Sequence, residues 1–156
     1  MIYIKTGLTL HVKKKEIMAT EQVRVNWLEN MAFEAEVNGH KIVIDAAEAV
    51  GGENRGPRPK PLMLVALAGC TGMDVVSILK KMRVEVEAFK VLVEGDLTEE
   101  HPKQFSQMRV IYEFKGKDLP MDKLEKAINL SEERYCGVSA MYKKAITITT
   151  EIRILN

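Results

Sequence analysis

The sequence predicts an α+β fold made of several strands, one apolar helix, two strands, two helices and a final strand. Three patterns predict it. Apolar and polar residues alternate before residue 45 and again between residues 89 and 114, and an apolar run of helical length separates these two regions. The last ten residues return to alternation. Strands and helices grouped in this way are typical of α+β domains rather than of regularly alternating α/β domains.

The first part of the chain is predicted to form strands. Apolar residues alternate over 8–12 and over 23–27, and the pair Asn38-Gly39 separates MAFEAEV from HKIVIDA. Asn-Gly accepts the positive φ angles of a tight turn, so these two segments are predicted to form a hairpin. We expect residues 1–20 to be an N-terminal extension with room for an extra strand pair, and residues 21–156 to form a single domain.

The glycine- and proline-rich loop GGENRGPRPKP is predicted to lead into a helix from about Pro61 to Met82. This helix is apolar on nearly every side from Leu62 to Ala68, which predicts a buried central helix. A single sheet covers only one side of such a helix. A second copy of the chain would cover the other side, so the sequence predicts a homodimer.

The remaining elements follow the same two periodicities. Residues 89–93 and 108–114 are predicted strands, separated by a turn around EEHP. Asp118 is predicted to cap the next helix, whose buried stripe contains Leu124, Ala127 and Ile128. A short helix is expected after Gly137, followed by a last strand with alternating isoleucines.

Composition excludes several classes of protein. The chain of 156 residues is 46% hydrophobic and 29% charged, which is ordinary for a soluble globular domain. A net charge of +1 gives no indication of a nucleic-acid partner, and the longest apolar run contains a charge, so we expect no membrane partner. The N-terminus lacks a continuous apolar signal core. We therefore expect a protein of the reducing cytoplasm.

The two cysteines carry the strongest functional indication. Cys70 lies in the apolar helix, and Cys136 lies 66 residues later, between two predicted helices. Both could simply be small buried apolar residues. If the fold brings them together, they can instead cycle between a dithiol and a disulfide. Two cysteines without clustered histidines do not complete a tetrahedral zinc set, so we expect neither a metal nor a cofactor.

The segments LVALAGCTGMDVVSILKKMR and LSEERYCGVSAMYKKAITI resemble the two signature regions of the OsmC/Ohr family, and the chain is most similar to its YhfA-like branch. The upstream segments VRVNWLENMAFEAE and GPRPKPLML also resemble the family in the type of residues that they contain. The resemblance extends from about Val23 to the end of the chain. It implies an OsmC-like intertwined dimer with the element order predicted above.

The resemblance also implies a thiol-dependent peroxidase that reduces organic hydroperoxides. Cys70 would then attack the peroxide and become a sulfenate, Cys136 would resolve it as a disulfide, and an unidentified dithiol reductant would restore both thiols. Other branches pair an arginine with a glutamate beside the reactive cysteine. Here Pro59, Lys60 and Pro61 occupy the region of that glutamate. The alternative is therefore a non-catalytic OsmC-fold dimer that binds a small molecule or is associated with stress.

Further candidate residues follow from the chemistry. Cations that could stabilise a thiolate are Arg24, Arg55, Arg58 and Arg134, each of which could equally be a solvated charge. Carboxylate candidates are Glu53, as a substitute for the family glutamate, and Asp74, which lies one helical turn after Cys70. An unpaired Asp74 would oppose thiol ionisation, or it could be a structural carboxylate. Candidates for an apolar pocket, or for plain packing, are Met63, Met73, Tyr135 and Met141.

Overall fold

The computed structural model describes residues 20–155. It contains six strands and three α-helices within that range: β1 Arg24–Glu29, β2 Ala32–Val37, β3 His40–Ile44, α1 Pro59–Lys81, β4 Ala88–Leu97, β5 Phe105–Lys115, α2 Met121–Leu130, α3 Gly137–Tyr142 and β6 Thr147–Leu155. The predicted α+β class and order of elements are confirmed. The alternating residues 8–12 lie outside the described residues, so the N-terminal extension stays a prediction.

The first sheet is an antiparallel meander in the order β1-β2-β3. Asn38 and Gly39 join β2 to β3 with φ values of 50° and 80°, as the predicted hairpin turn requires. The loop after β3 then folds back on the strand. A Cβ on Gly56 would lie 2.0 Å from the Val43 carbonyl oxygen, so only glycine permits this approach.

Asp45 holds the same loop in place. Its carboxylate accepts hydrogen bonds from the backbone N–H groups of Ala46, Glu53 and Arg55, at 2.7, 2.9 and 3.1 Å. These backbone donors, with Arg55 first, lower the pKa of the buried Asp45 carboxyl. The turn that leads into α1 is therefore fixed by one carboxylate.

The second sheet has the order β4-β5-β6 and forms the core with the helices. Strands β4 and β5 are antiparallel, whereas β5 and β6 are parallel because α2 and α3 form the crossover between them. Alternate residues of the predicted strand 108–114 are buried in β5, among them Tyr112 and Phe114. The predicted stripe of α2 is also buried. However, this helix starts at Met121, and Asp118 lies in the preceding turn with φ 50° rather than at the cap.

Helix α1 is buried on one face and exposed on the other. The buried face carries Leu67, Thr71, Val75, Ile78 and Leu79, and packs on β4, α2 and α3. On the opposite face Val65, Met73 and Val76 are 62%, 71% and 49% exposed. One chain thus covers only half of its central helix, as the sequence predicts.

Helix α1 is also the one helix within residues 20–155 that is long and apolar enough to cross a membrane. The core helix of a soluble protein passes the same test of length and composition, so this is weak evidence for a span. Asp74, near its middle, accepts a hydrogen bond from Ser131 of the same chain, which favours a helix packed against protein.

Candidate functional site

Cys70 lies in the middle of α1 and is partly buried against the core. Thr71 beside it is buried, whereas Gly69 is exposed, so Cys70 sits at the boundary between the buried and exposed faces of the helix. Cys70 is therefore more open to solvent than a residue on the buried face of the helix.

Cys136 lies where a π-helical turn, Ser131–Tyr135, meets α3. Its backbone N–H donates to the Ser131 carbonyl oxygen, five residues earlier, at 2.8 Å. Its sulfur accepts a hydrogen bond from the Ser139 N–H at 3.3 Å and so serves as the cap of α3. This wide turn directs a buried side chain, 2% exposed, toward α1.

The fold brings the two cysteines together. The sulfurs of Cys70 and Cys136 and a carboxylate oxygen of Asp74 all lie within 4.8 Å of one another, and both cysteines are free thiols. Burial, followed by the hydrogen bond with Cys70, raises the pKa of the Cys136 thiol to about 11, although the Ser139 N–H opposes the shift. Cys136 is therefore protonated at neutral pH, and a small movement would join the two sulfurs.

Asp74 is held beside the sulfurs by a chain of buried hydroxyls that the sequence did not single out. The hydroxyls of Tyr112 and Thr71 are 2.6 Å apart, those of Thr71 and Ser131 are 3.0 Å apart, and Ser131 donates to Asp74 at 3.0 Å. Burial raises the pKa of the Tyr112 phenol well above its ordinary value, so it stays a neutral donor. Thr71 and Ser131 are polar residues on the apolar faces of their helical segments. This pattern was the sequence feature from which the set of hydroxyls could have been predicted.

The candidate cations make their contacts elsewhere. Arg55 pairs with Glu29 at 2.6 Å, and Arg58 donates to Asn54 and to the Gly56 carbonyl oxygen. None of the ion pairs and hydrogen bonds found within residues 20–155 joins a candidate arginine to either sulfur.

The other two arginines are exposed. Arg24 lies on β1, and Arg134 lies in the π-helical turn. Glu53 accepts a hydrogen bond from the Asn30 side chain at 2.9 Å and lies 3.9 Å from Arg55. Within residues 20–155 the single chain therefore assembles both cysteines with Asp74, but no hydrogen bond or ion pair joins Glu53 or a candidate arginine to either sulfur.

The pocket candidates separate into different places. Met63 lines an apolar cavity of about 200 Å³ together with Phe105, Met108 and Tyr142. Met63 precedes Cys70 by seven residues, which is about 10 Å along the helix axis. Met73 instead lines an open groove between α1 and β4. Two further candidates are largely exposed side chains: Tyr135 and Met141.

Comparison with known proteins identifies the family. The family model described as OsmC-like protein matches residues 52–151. Protein YhfA of Escherichia coli (strain K12) is 34% identical over 135 residues, covering 86% of this chain and 98% of that protein.

Solved structures agree on the fold. A crystal structure of a protein from Aquifex aeolicus VF5 has a TM-score of 0.79 and 30% identity, covering 88% of this chain and 98% of that one. The organic hydroperoxide resistance protein OhrB of Bacillus subtilis has a TM-score of 0.63 at 17% identity, covering 86% and 98% of the two chains. The latter likeness concerns the fold alone. With its element order, its two cysteine motifs and these matches, the chain belongs to the OsmC-like protein family.

Proposed function

We propose that this protein is a thiol-dependent peroxidase that reduces organic hydroperoxides in a reducing cytoplasm. The observation that carries the proposal is the pair of reduced sulfurs within 4.8 Å, one partly exposed and one buried. A family neighbour named as an organic hydroperoxide resistance protein supports the choice of substrate class.

The difference in exposure assigns the two roles. Cys136 is buried, and its raised pKa keeps it protonated, so it is a poor first nucleophile toward an external peroxide. Cys70 is accessible. Its thiolate attacks one peroxide oxygen, the O–O bond breaks, and the alkoxide leaves as an alcohol after taking up a proton.

The second step uses the short distance between the sulfurs. The product of the first step is a sulfenic acid on Cys70. Cys136 loses its proton and attacks the Cys70 sulfur, the hydroxide takes up a proton and leaves as water, and a disulfide forms. A dithiol reductant then restores both thiols by two exchange steps, becoming a disulfide itself.

The active form is proposed to be a homodimer. The exposed face of α1 and the first sheet both present large apolar side chains, including Trp27 at 66% and Val25 at 50% exposure. Among the described residues, the main hydrophobic cluster of one chain contains none from β1–β3, where Ala32 and Ala35 are the buried apolar residues. A first sheet that packs on the partner's α1 would cover both apolar surfaces at once. It would also bring Arg24, the arginine of the first sheet, toward the other chain's α1.

The test counts thiols after a known dose of peroxide. One equivalent of cumene hydroperoxide should remove both thiols of the reduced protein within a single turnover. Cys70→Ser should abolish this loss, whereas Cys136→Ser should stop at a sulfenate that dimedone traps. Thiol loss in the wild-type protein no faster than that of free cysteine would refute the proposal.

The alternative function is binding of a small apolar molecule without catalysis. It is favoured by the cavity lined by Met63, Phe105 and Tyr142, and by the lack of contact between the candidate arginines and the sulfurs within residues 20–155. A binder would take up an alkyl alcohol as well as the corresponding hydroperoxide. It would do so unchanged in the Cys70→Ser variant, which separates the two functions.

A further inference from the structure

The cluster of Cys70, Cys136 and Asp74 has the composition of a metal site. Two cysteine sulfurs and a carboxylate oxygen are ligands that Zn²⁺ takes in proteins, at about 2.3 Å for sulfur and about 2.0–2.2 Å for oxygen. Two sulfurs on one tetrahedral zinc are then about 3.8 Å apart. The three atoms lie within 4.8 Å of one another, so at most about 1 Å of side-chain movement would close the set.

The surroundings favour a cation at this point. Within residues 20–155 of a single chain no candidate arginine is hydrogen-bonded or ion-paired to either sulfur, so two ionised thiols beside Asp74 would have no cation of their own chain to compensate their negative charges. A divalent cation compensates that charge directly. Ser131 donates to Asp74, and the Ser139 N–H donates to the Cys136 sulfur. Such hydrogen bonds orient metal ligands and fix their position.

We propose that the reduced protein binds one Zn²⁺ per chain through the sulfurs of Cys70 and Cys136 and the carboxylate of Asp74. We expect a water molecule to take the fourth position of the tetrahedral set. On binding, each thiol gives one proton to solvent and forms one Zn–S bond, and no atom is oxidised or reduced. The expectation of no metal site counted only cysteine and histidine ligands, and it left out Asp74.

Zinc and the disulfide exclude each other. A sulfur that is part of a disulfide is not a thiolate ligand, and a thiolate bound to zinc is withdrawn from attack on peroxide. Bound zinc would therefore hold the protein in a reduced state that does not react with peroxide. This regulatory consequence rests on the proposed peroxidase function, whereas the binding itself does not.

The experiment uses Co²⁺ as a spectroscopic substitute for Zn²⁺. The full-length protein is reduced, freed of metal with a chelator and titrated with Co²⁺ alone, and Zn²⁺ is then added as competitor. We expect thiolate-to-cobalt charge-transfer absorption that saturates at one Co²⁺ per chain and disappears when Zn²⁺ displaces it. The same protein oxidised to the disulfide should show no such absorption and should regain it on reduction, a control that needs no variant.

Variants test each ligand. Cys70→Ser and Cys136→Ser should lose the absorption, and Asp74→Asn should weaken Zn²⁺ binding by at least about tenfold while leaving both thiols in place. Asp122→Asn, which changes an exposed carboxylate on α2, is the matched control and should bind as the wild type does.

Three results would overturn the proposal: saturation below one Co²⁺ per chain, unchanged binding after oxidation, or unchanged affinity in Asp74→Asn. Binding without peroxide-dependent thiol loss would reject the peroxidase and keep the metal site. Peroxide-dependent thiol loss without metal binding would reject the metal site and keep the peroxidase.

Discussion

The hydroxyls of Tyr112, Thr71 and Ser131 form a row of hydrogen bonds that leads to Asp74 beside the sulfurs. Which group donates each of these hydrogen bonds decides whether a second substitution in the row lowers or raises the free energy of unfolding. A hydroxyl has one hydrogen to donate, and an ionised carboxylate only accepts. Because Ser131 donates to Asp74, Thr71 must donate to Ser131, and Tyr112 must donate to Thr71. Tyr112, Thr71 and Ser131 are each at most 1% exposed, so water does not replace a lost partner.

Two substitutions cut this chain in different places. Tyr112→Phe removes only the first donor and should lower the free energy of unfolding by about 1 kcal/mol. Thr71→Val breaks two hydrogen bonds and leaves the Tyr112 O–H buried without an acceptor, which should cost about 3 kcal/mol. In the double variant no donor is left unpaired, so the total should be about 2 kcal/mol rather than the additive value of about 4 kcal/mol. Adding Tyr112→Phe should therefore stabilise the Thr71→Val protein.

The assay is urea unfolding followed by far-ultraviolet circular dichroism, at one protein concentration because a dimer's stability depends on it. Thr149→Val removes an exposed threonine hydroxyl on β6 and should change stability by less than about 0.5 kcal/mol. The assigned hydrogen-bond directions would be refuted if the double variant were less stable than Thr71→Val. They would also be refuted if the losses in free energy of unfolding of the two single variants were additive.

Three further predictions concern other parts of the molecule. Val76→Lys, on the exposed face of α1, should convert the proposed dimer to a monomer in light scattering, whereas a charge placed on the exposed face of α2 should not. Gly95→Ala should lower the urea midpoint by the equivalent of about 1–3 kcal/mol, because its new Cβ would lie 2.6 Å from the Phe105 ring. The pKa of Asp45 is lowered in the folded state, chiefly by the Arg55 N–H, so its contribution to stability is complete above the unfolded pKa of about 3.9 and is lost as the pH falls through the folded value. Asp45→Asn should therefore flatten the acid side of the stability–pH curve, and an unchanged curve would contradict this account.

The features that the sequence predicted well depend on neighbouring residues. The hairpin at Asn38-Gly39 follows from two positive φ angles that these residues tolerate. The sequence predicts a start of α1 near Pro61, whereas the helix begins at Pro59, since proline fits the first turn of a helix. The prediction that Asp118 caps α2 was wrong. Pro120 occupies the N-cap position, and the helix begins one residue later, at Met121.

The candidate site was predictable only in part. The motifs identified Cys70 and Cys136, and helical spacing placed Asp74 on the same face as Cys70. Ser131 and Tyr112 were missed, since their meeting with Thr71 depends on how α1 packs against β5 and the π-helical turn. A π-helical turn has no reliable local sequence signature, although it is what directs Cys136 toward α1.

The amino-acid sequence alone determined the α+β class, the order of the elements and the apolar faces, because backbone preferences and side-chain periodicity act over a few residues. The tertiary structure decided which of the distant polar groups meet. Parallel pairing of β6 with β5 sends the chain through α2, the π-helical turn and α3, and this crossover carries Cys136 across to Cys70. The same packing holds Asp74 beside the sulfurs and leaves Arg55 and Arg58 in contact with other groups. Contacts of this kind form between residues that are far apart in the sequence, so no local sequence pattern predicts them.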